Sequence, residues 1–322
     1  MKIHSVCTFS GCLNEGMNNI EAHYTRYFAK GNTVTRSPNR DITALIKHAV
    51  TSDLLFFFTR GTKTTYWLAR LACCFCRRVF FVVVQRPEDD FLRLVKRHPL
   101  KCSYFYLDNT DVEELTIRDG NQKHKVSVGI DAKKFSPVTA TESETIKHNY
   151  GFSSGKPLIV HVGHLSTGRG LEDFLKLDGN KYDRFIVDSG MYKAQELKDK
   201  LVAAGIRIVS GYIENIENIY RMADAYFFPT KSGDYVISVP LSVMEALSCG
   251  TPVVAYSTFT KFTSIETNDA DAVTLVEDES TLGSALEATA GKKREATYLL
   301  SAKCWDEAAA EVLTWIKDES TK

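Results

Sequence analysis

Apolar residues in this 322-residue chain gather in short blocks, and stretches of helical period separate them. Ile3–Phe9, Asp53–Thr59, Val79–Val84 and Ser103–Leu107 read as strands. Ile20–Ala29, Ile42–Val50, Tyr66–Cys76 and Asp89–His98 read as helices between them, with Gly31-Asn32 and Pro99 as stops. A polar loop, Ser10–Asn19, follows the first strand. Asp108–Leu115 reads as a capped helical turn and Lys125–Val128 as a last strand of this series. Several of these strands are apolar at nearly every position, which requires burial on both faces. Alternation with helices then predicts a doubly wound parallel sheet.

Gly129-Ile130-Asp131 to Pro137 marks a junction, and polar residues fill Thr139–Tyr150. A second series of the same grammar follows. Strands are predicted at Leu158–Val162, Phe185–Val187, Ile206–Val209, Ala225–Phe228, Val253–Ala255 and Val273–Val276. Helices are predicted at Leu171–Leu177, Ala194–Ala204, Ile216–Met222 and Leu241–Ser248, around 281–290 and 292–300, and at Trp305–Lys317. The predicted domains are 1–137 and 155–303, joined by a linker over 138–154. Residues 304–322 form a final helix returning toward the first domain.

One helix carries an unusual carboxylate. Pro240 opens it and Gly250-Thr251-Pro252 ends it. Glu245 sits among Val243, Met244, Ala246 and Leu247, on the face shared with Leu241 and Ser242. The helix start offers amides without intrahelical acceptors and a partial positive charge, which suits a phosphate. Glu245 lies roughly 7–8 Å along the axis from Pro240, about the distance from a diphosphate to its ribose. The alternative is a solvated helix glutamate.

Composition adds limits. Charged and apolar fractions are ordinary for a soluble domain. No export signal or transmembrane run is read, which predicts a cytoplasmic protein; the richest stretch, Tyr66–Val84, is broken by Arg70, Arg77 and Arg78. The eight cysteines then read as reduced thiols, and Cys73-Cys74-x-Cys76 lacks partners at zinc spacing, so no metal is expected. Net charge is zero, yet residues 1–135 hold 21 Lys and Arg against 13 Asp and Glu, a balance of +8 offset by −8 in the remainder. The asymmetry agrees with two domains and points the first toward an anionic partner other than nucleic acid. Segment 89–101 pairs Phe91, Leu92, Leu94 and Val95 with Arg93, Lys96, Arg97 and Lys101. It reads either as a packed helix with a basic outer face or as a peripheral contact with an anionic membrane.

In combination, the runs Ile219–Pro229, Pro240-Leu241-x3-Glu245-Ala246-Leu247-x-Cys249-Gly250-Thr251-Pro252-Val253-Val254-Ala255 and Gly129-Ile130-Asp131-x3-Phe135-Ser136-Pro137 are specific. Together with Gly163–Gly170 they resemble the retaining, nucleotide-sugar-dependent glycosyltransferases of family 4. The resemblance implies the GT-B fold, an α/β architecture of two Rossmann-like parallel-sheet domains facing a cleft. It also implies a metal-independent transfer of sugar from a donor such as a UDP- or GDP-sugar to a glycan or lipid-linked acceptor, with no cofactor. Carried over by motif, Glu245 would hold the donor ribose, and the Leu241 and Ser242 amides the donor phosphate. Arg169 would neutralise the diphosphate with His164 beside it, Gly16 and Gly168 would belong to glycine loops around it, and Ile213 would meet the base.

Three positions depart from that pattern. Ile237 stands where the first Glu of a Glu-x7-Glu pair would contact the donor sugar, with Asp234 the nearest acid. His164 replaces an Arg, and Gln85 or Arg86 replaces a first-domain His. These departures keep a second reading open: a non-catalytic GT-B subunit that partners a glycosyltransferase.

Overall fold

The structure, a computed structural model, describes residues 1–8, 16–152, 155–190, 194–259 and 265–319. Two compact units emerge. The first is Met1–Gly129 with Ile237–Val239 and Lys303–Lys322; the second is Ile130–Val236 with Pro240–Ala302.

The first unit alternates β1 (Lys2–Cys7), α1 (Gly16–Phe28), β2 (Thr33–Pro38), α2 (Ile42–Thr51), β3 (Leu54–Phe58), α3 (Lys63–Phe75), β4 (Val79–Val83), α4 (Asp89–Arg97), β5 (Ser103–Tyr106) and β6 (Lys123–Lys125). All six strands pair in parallel, in the order β2-β1-β3-β4-β5-β6. β3 explains why its sequence is wholly apolar. Leu55 and Phe57 point into a core with Phe81, Tyr104, Tyr66 and Phe91, beneath α2–α4. Phe56 and Phe58 point the other way, against Phe28, Phe80, Phe105 and Tyr24. The C-terminal helix, Trp305–Glu319, covers that second face beside α1, with the Trp315 ring edge-on to Phe80 and Phe105.

The second unit runs α5 (Ala140–Asn149), β7 (Leu158–Gly163), β8 (Asp183–Asp188), α6 (Gln195–Ala203), β9 (Arg207–Ser210), α7 (Glu217–Met222), β10 (Ala225–Phe228), α8 (Leu241–Ser248), β11 (Val253–Tyr256), β12 (Val273–Val276) and α9 (Leu282–Ala290). Its parallel order is β12-β11-β10-β7-β8-β9. The order therefore reverses between β7 and β10, the arrangement of a doubly wound nucleotide-binding sheet.

Several local expectations change. β2 escapes the hydrophobic reading because, as an edge strand, it is largely half-exposed and polar. Residues 140–149 form α5 where a linker was expected. Thr139 caps it, accepting from the Glu142 amide at 3.2 Å while Glu142 accepts from the Thr139 amide at 2.9 Å. The helix expected near 292–300 is absent. There the backbone is drawn to the end of α8, with Arg294 N donating to Gly250 O at 3.1 Å and Tyr298 N to Leu247 O at 2.9 Å. The turn after β7 is a 3-10 helix, Leu171–Lys176, and that near Asp108 is a 3-10 turn, Asn109–Asp111. The last first-unit strand is Lys123–Lys125, not 125–128. Of the loop expected over Ser10–Asn19, Ser10–Glu15 lie outside the described residues, and Gly16–Asn19 already belong to α1.

The C-terminal helix docks closely. A Cβ built on Gly129 would stand 2.4 Å from the Trp305 Cα and 2.6 Å from its backbone nitrogen. Gly129→Ala is expected to destabilise the first unit by about 1–3 kcal/mol, since backbone rather than a rotatable side chain must yield. Urea unfolding of both proteins checks this, and equal midpoints would show that the helix is not held so tightly.

Candidate functional site

Ligands of open parallel sheets bind outside the carboxyl ends of the strands where the order reverses. In the second unit those ends are Gly163 of β7 and Phe228 of β10. Three candidate segments lie after them: the 164–170 loop, the 229–236 loop, and α8.

The 164–170 loop is shaped by its glycines. Gly168 and Gly170 have φ of 87° and 73°, a left-handed region that side chains rarely adopt. A Cβ on Gly170 would meet the Pro229 carbonyl oxygen at 2.3 Å, and one on Gly168 would meet the Tyr235 ring at 2.5 Å. The loop is thus pressed against the chain leaving β10, and the Tyr235 ring lies flat on it. Between these glycines sits Arg169, largely buried, with its backbone oxygen accepting from Thr230 Oγ1 at 3.4 Å. His164 is held by a hydrogen bond between its Nδ1 and Ser189 Oγ. Burial, then the charge of Arg169, push its pKa down to about 4 against the opposing pull of Asp188. His164 is therefore neutral at pH 7, and Arg169 supplies the charge. Beneath them His161 is fully buried, with Nδ1 3.1 Å from the Phe227 carbonyl. Its Nε2, without a hydrogen-bond partner among the described residues, lies 2.8 Å from a Cβ built on Gly163, so a side chain there would crowd the ring.

α8 supplies the opposite chemistry. Pro240 is its N-cap with φ −64°, and the helix begins at Leu241, so its first amides have no intrahelical acceptor. At the far end Gly250 (φ 73°) turns the chain, with Gly250 N bonded to Leu247 O at 3.1 Å and Thr251 N to Ala246 O at 3.0 Å. Two buried tyrosines hold the polar side chains of α8. The Tyr226 hydroxyl lies 2.8 Å from Ser242 Oγ and 3.1 Å from the Val162 carbonyl. Tyr220 donates to Glu245 Oε2 at 2.7 Å. Glu245 is half-buried at its surface but enclosed around its carboxylate. Burial raises its pKa to about 7, opposed by the Tyr220 hydrogen bond and the charge of Lys134. The sequence reading missed Tyr220 and Tyr226. The signal was a hydroxyl-bearing ring inside an apolar run, since a buried tyrosine takes a partner for its O–H.

Ile213 is half-buried in the turn after β9, beyond Gly211 (φ 107°). That turn is fixed by Asp188, which accepts from Ser210 Oγ at 3.0 Å, and from the Leu165 and Gly190 amides at 3.1 and 3.0 Å. The second unit thus contains Arg169, His164, Gly168, Ile213, Leu241, Ser242 and Glu245, whereas Gly16 begins α1 in the first.

Ile237 also belongs to the first unit. It is buried, and its Cδ1 lies 2.7 Å from a Cβ built on Gly16. Its neighbour Ser238 donates its amide to the Val84 carbonyl at 2.7 Å and its hydroxyl to Asp111. Asp234 is exposed in a 3-10 turn and accepts from Ser232 Oγ at 2.9 Å. The 229–236 loop is anchored by Lys231, which meets Asp173 at 3.1 Å and Glu279 at 2.8 Å. In the first unit, Arg86 is paired with Asp89 and Glu114 at 2.9 and 2.8 Å. Among the described residues no three His, Cys, Asp or Glu side chains gather as a metal-holding group.

Residues 142–281 match the sequence model of the family described as Glycosyl transferases group 1. The D-inositol 3-phosphate glycosyltransferase of Corynebacterium urealyticum is 25% identical over 190 residues, 52% of this chain and 44% of that protein. The sulfoquinovosyl transferase SQD2 of Arabidopsis thaliana is 31% identical over 141 residues, 42% of this chain and 26% of that protein. The chain thus spans less than half the length of these two curated relatives. Among solved structures, Anabaena Alr3699/HepE in complex with UDP-glucose superposes with a TM-score of 0.74 at 12% identity, covering 100% of this chain and 96% of that one. The fold is the two-domain α/β fold of GT-B glycosyltransferases, as the motifs implied.

The pKa of Glu245 has a consequence for stability. It is raised in the folded protein to about 7, so its stabilising contribution is full below the unfolded value of about 4.3 and is lost as pH rises through 7. Glu245→Gln removes the titration. The variant should gain stability relative to the parent on going from about pH 5 to about pH 8, measured by denaturant unfolding at both. A constant difference would mean that the carboxylate is ionised throughout.

Proposed function

We propose that this chain, similar to group 1 glycosyl transferases over 142–281 and GT-B in fold, is a retaining glycosyltransferase. It moves a sugar from a nucleoside-diphosphate sugar to a glycan or lipid-linked acceptor. The observation that carries the reading is the array at the β7/β10 reversal: free amides at the start of α8, the largely buried Arg169, and Glu245 one turn further on. Anion-binding amides, a cation and a hydroxyl acceptor are thereby provided in the sequence that a diphosphate and its ribose present.

In this reading the bond from the sugar's anomeric carbon to the leaving phosphate oxygen breaks. The sugar takes on positive charge and the diphosphate takes the electron pair. Arg169 and the Leu241 and Ser242 amides stabilise the growing negative charge, and neutral His164 adds orientation without charge. The acceptor hydroxyl attacks from the face the diphosphate leaves, passes its proton to that diphosphate, and the anomeric configuration is kept. Glu245 accepts from the ribose, Ile213 meets the base, and the Gly168 loop presents backbone to the diphosphate. No resident cofactor or metal enters the scheme. The work is assigned to the cytoplasm; the described cysteines are all free thiols.

The buried Ile237 alters how the sugar is held. With no carboxylate there, the half-exposed Tyr235 ring on Gly168 is the sugar-facing group of this reading, offering an aromatic face to the hexose. The same buried Ile237 motivates the second reading, a non-catalytic GT-B subunit.

UDP-glucose is the first donor to test, followed by GDP-sugars. Arg169→Ala and Glu245→Ala should each weaken nucleotide binding by roughly tenfold to a hundredfold in calorimetry, the worth of a charge-assisted hydrogen bond. An unchanged dissociation constant for both would mean that the site is wrong. Tyr235→Ala should weaken UDP-glucose but not UDP. Binding without donor hydrolysis or transfer, even after Ile237→Glu, would favour the subunit. UDP-glucose has no phosphate proton to lose near neutrality, so its affinity should rise with pH through about 7 as Glu245 ionises, and Glu245→Gln should flatten the profile.

A further inference from the structure

Phe91, Leu92 and Val95 of α4 are buried in the first unit's core, so the anionic membrane contact expected at 89–101 has no apolar side to insert. The charges that carry a further role lie in the second unit. Asp173, Lys176, Lys231 and Glu279 form one group there, with the Tyr256 hydroxyl among them.

Asp173 is the centre of the group. It sits in the 3-10 turn Leu171–Lys176, just beyond Gly170, and its amide donates to the Gly170 carbonyl at 3.1 Å. Asp173 is buried, and a buried carboxylate needs partners to stay charged. Lys176 meets its Oδ1 at 2.7 Å, while the Tyr256 hydroxyl and Lys231 meet its Oδ2 at 2.7 and 3.1 Å. Burial, then the bond to Asp173, push the Tyr256 phenol up, which keeps it a donor. Glu279, after β12, pairs with Lys176 and lies 2.8 Å from Lys231. Its bonds to Lys176 and then Lys231 hold its carboxyl down to about 2, so it is ionised at neutral pH.

Lys231 is the member of this group that comes from the 229–236 loop. Its ammonium also lies 4.5 Å from the centroid of the Tyr256 ring. The chain leaving β10 is thereby fixed to the chain leaving β7 along a run of contacts. Pro229 lies against Gly170, Thr230 donates to the Arg169 carbonyl, Lys231 pairs with Asp173, and Tyr235 lies on Gly168. Beyond Lys231 the chain makes a tight turn, in which Ser232 Oγ accepts from the Asp234 amide at 3.2 Å, and that turn ends on Tyr235. The ring is carried on a short arm whose foot is Lys231. Contact with an aromatic face fades steeply once the separation grows by roughly an ångström, so a ring that meets a sugar needs such a foot.

We propose that Lys231 is a positioning residue for donor-sugar recognition: paired with Asp173 and Glu279, it holds the Tyr235 ring over Gly168 at the height where it meets the hexose. The inference rests on the transferase reading and extends it to a residue that touches neither nucleotide nor sugar. The Lys231 charge is taken up by two carboxylates, so its loss leaves diphosphate binding intact.

Calorimetry with UDP-glucose and with UDP tests it. Lys231→Met keeps the stem and removes the ammonium; the side chain is 43% exposed, and Asp173 keeps Lys176 and Tyr256, so the fold survives. The variant should bind UDP-glucose about threefold to tenfold more weakly and UDP as before. Lys231→Arg, whose fork reaches both carboxylates, should restore most of the loss. Lys200→Met removes an exposed pair with Glu196 on α6 and should change neither affinity. Amide hydrogen exchange over 232–236 should quicken in Lys231→Met and not in Lys200→Met. Unchanged exchange in Lys231→Met overturns the proposal, and so does quickened exchange with an unchanged ratio of UDP-glucose to UDP affinity. An equal loss of both affinities overturns it too, since Lys231 would then serve the whole site. A parent chain that binds neither UDP-glucose, UDP nor GDP-sugars removes the transferase reading itself, and the proposal with it.

Discussion

Parallel strands buried on both faces impose the constraint on which the rest depends. Such strands are joined only by crossovers, and each crossover places a helix over one face. When the chain runs outward from β7 through β8 to β9, then returns beside β7 as β10, the helices must change faces. The carboxyl ends of β7 and β10 are left with loops departing in opposite directions. Among the described residues, 164–170, 229–236 and the start of α8 follow those ends. A glycine loop, an arginine and free helix amides come together because of sheet order, although more than 70 residues separate the first from the last.

Buried aromatic residues do two kinds of work. In the first unit they fill both sides of a five-residue strand, and the C-terminal helix completes one of those sides. In the second, Tyr220 and Tyr226 keep their hydroxyls for Glu245 and Ser242 while their rings pack as core. This fixes polar groups on α8 from below, so that their outward atoms stay oriented without engaging neighbouring surface side chains. The cost is desolvation, visible in the raised pKa of Glu245 and the lowered pKa of His164. Charge at the site is left chiefly to an arginine, which burial does not neutralise.

Much of this was legible in the residues. The apolar blocks of β3, β4, β7 and β10 announced two-sided burial, and Pro240, Glu245 and Gly250 gave the helix its start, its odd carboxylate and its stop. β2 was illegible because an edge strand has no need of alternating apolar positions. α5 was hidden by polarity, although its Thr139 and Glu142 carried the capping signal. Residues 292–300 looked helical in isolation, and the amides of Arg294 and Tyr298 instead donate to carbonyls at the end of α8. Such competition between local and distant hydrogen bonds has no trace in periodicity.

By itself the sequence determined the two α/β units and the family resemblance, and it singled out Arg169 and Glu245 as candidates, because apolar blocks and motifs are local. Tertiary structure alone decided which side chains support them. It showed that Tyr220 and Tyr226 stand behind α8, that Tyr235 lies on Gly168, and that Ile237 is buried under Gly16 in the other unit. It also decided that the apolar side of α4 is core while Ile42, Ile46 and Val50 of α2 are exposed. Amphipathic helices look alike in sequence. Which apolar face is covered depends on how many neighbours pack around it, a property of the folded assembly of helices and not of any one of them.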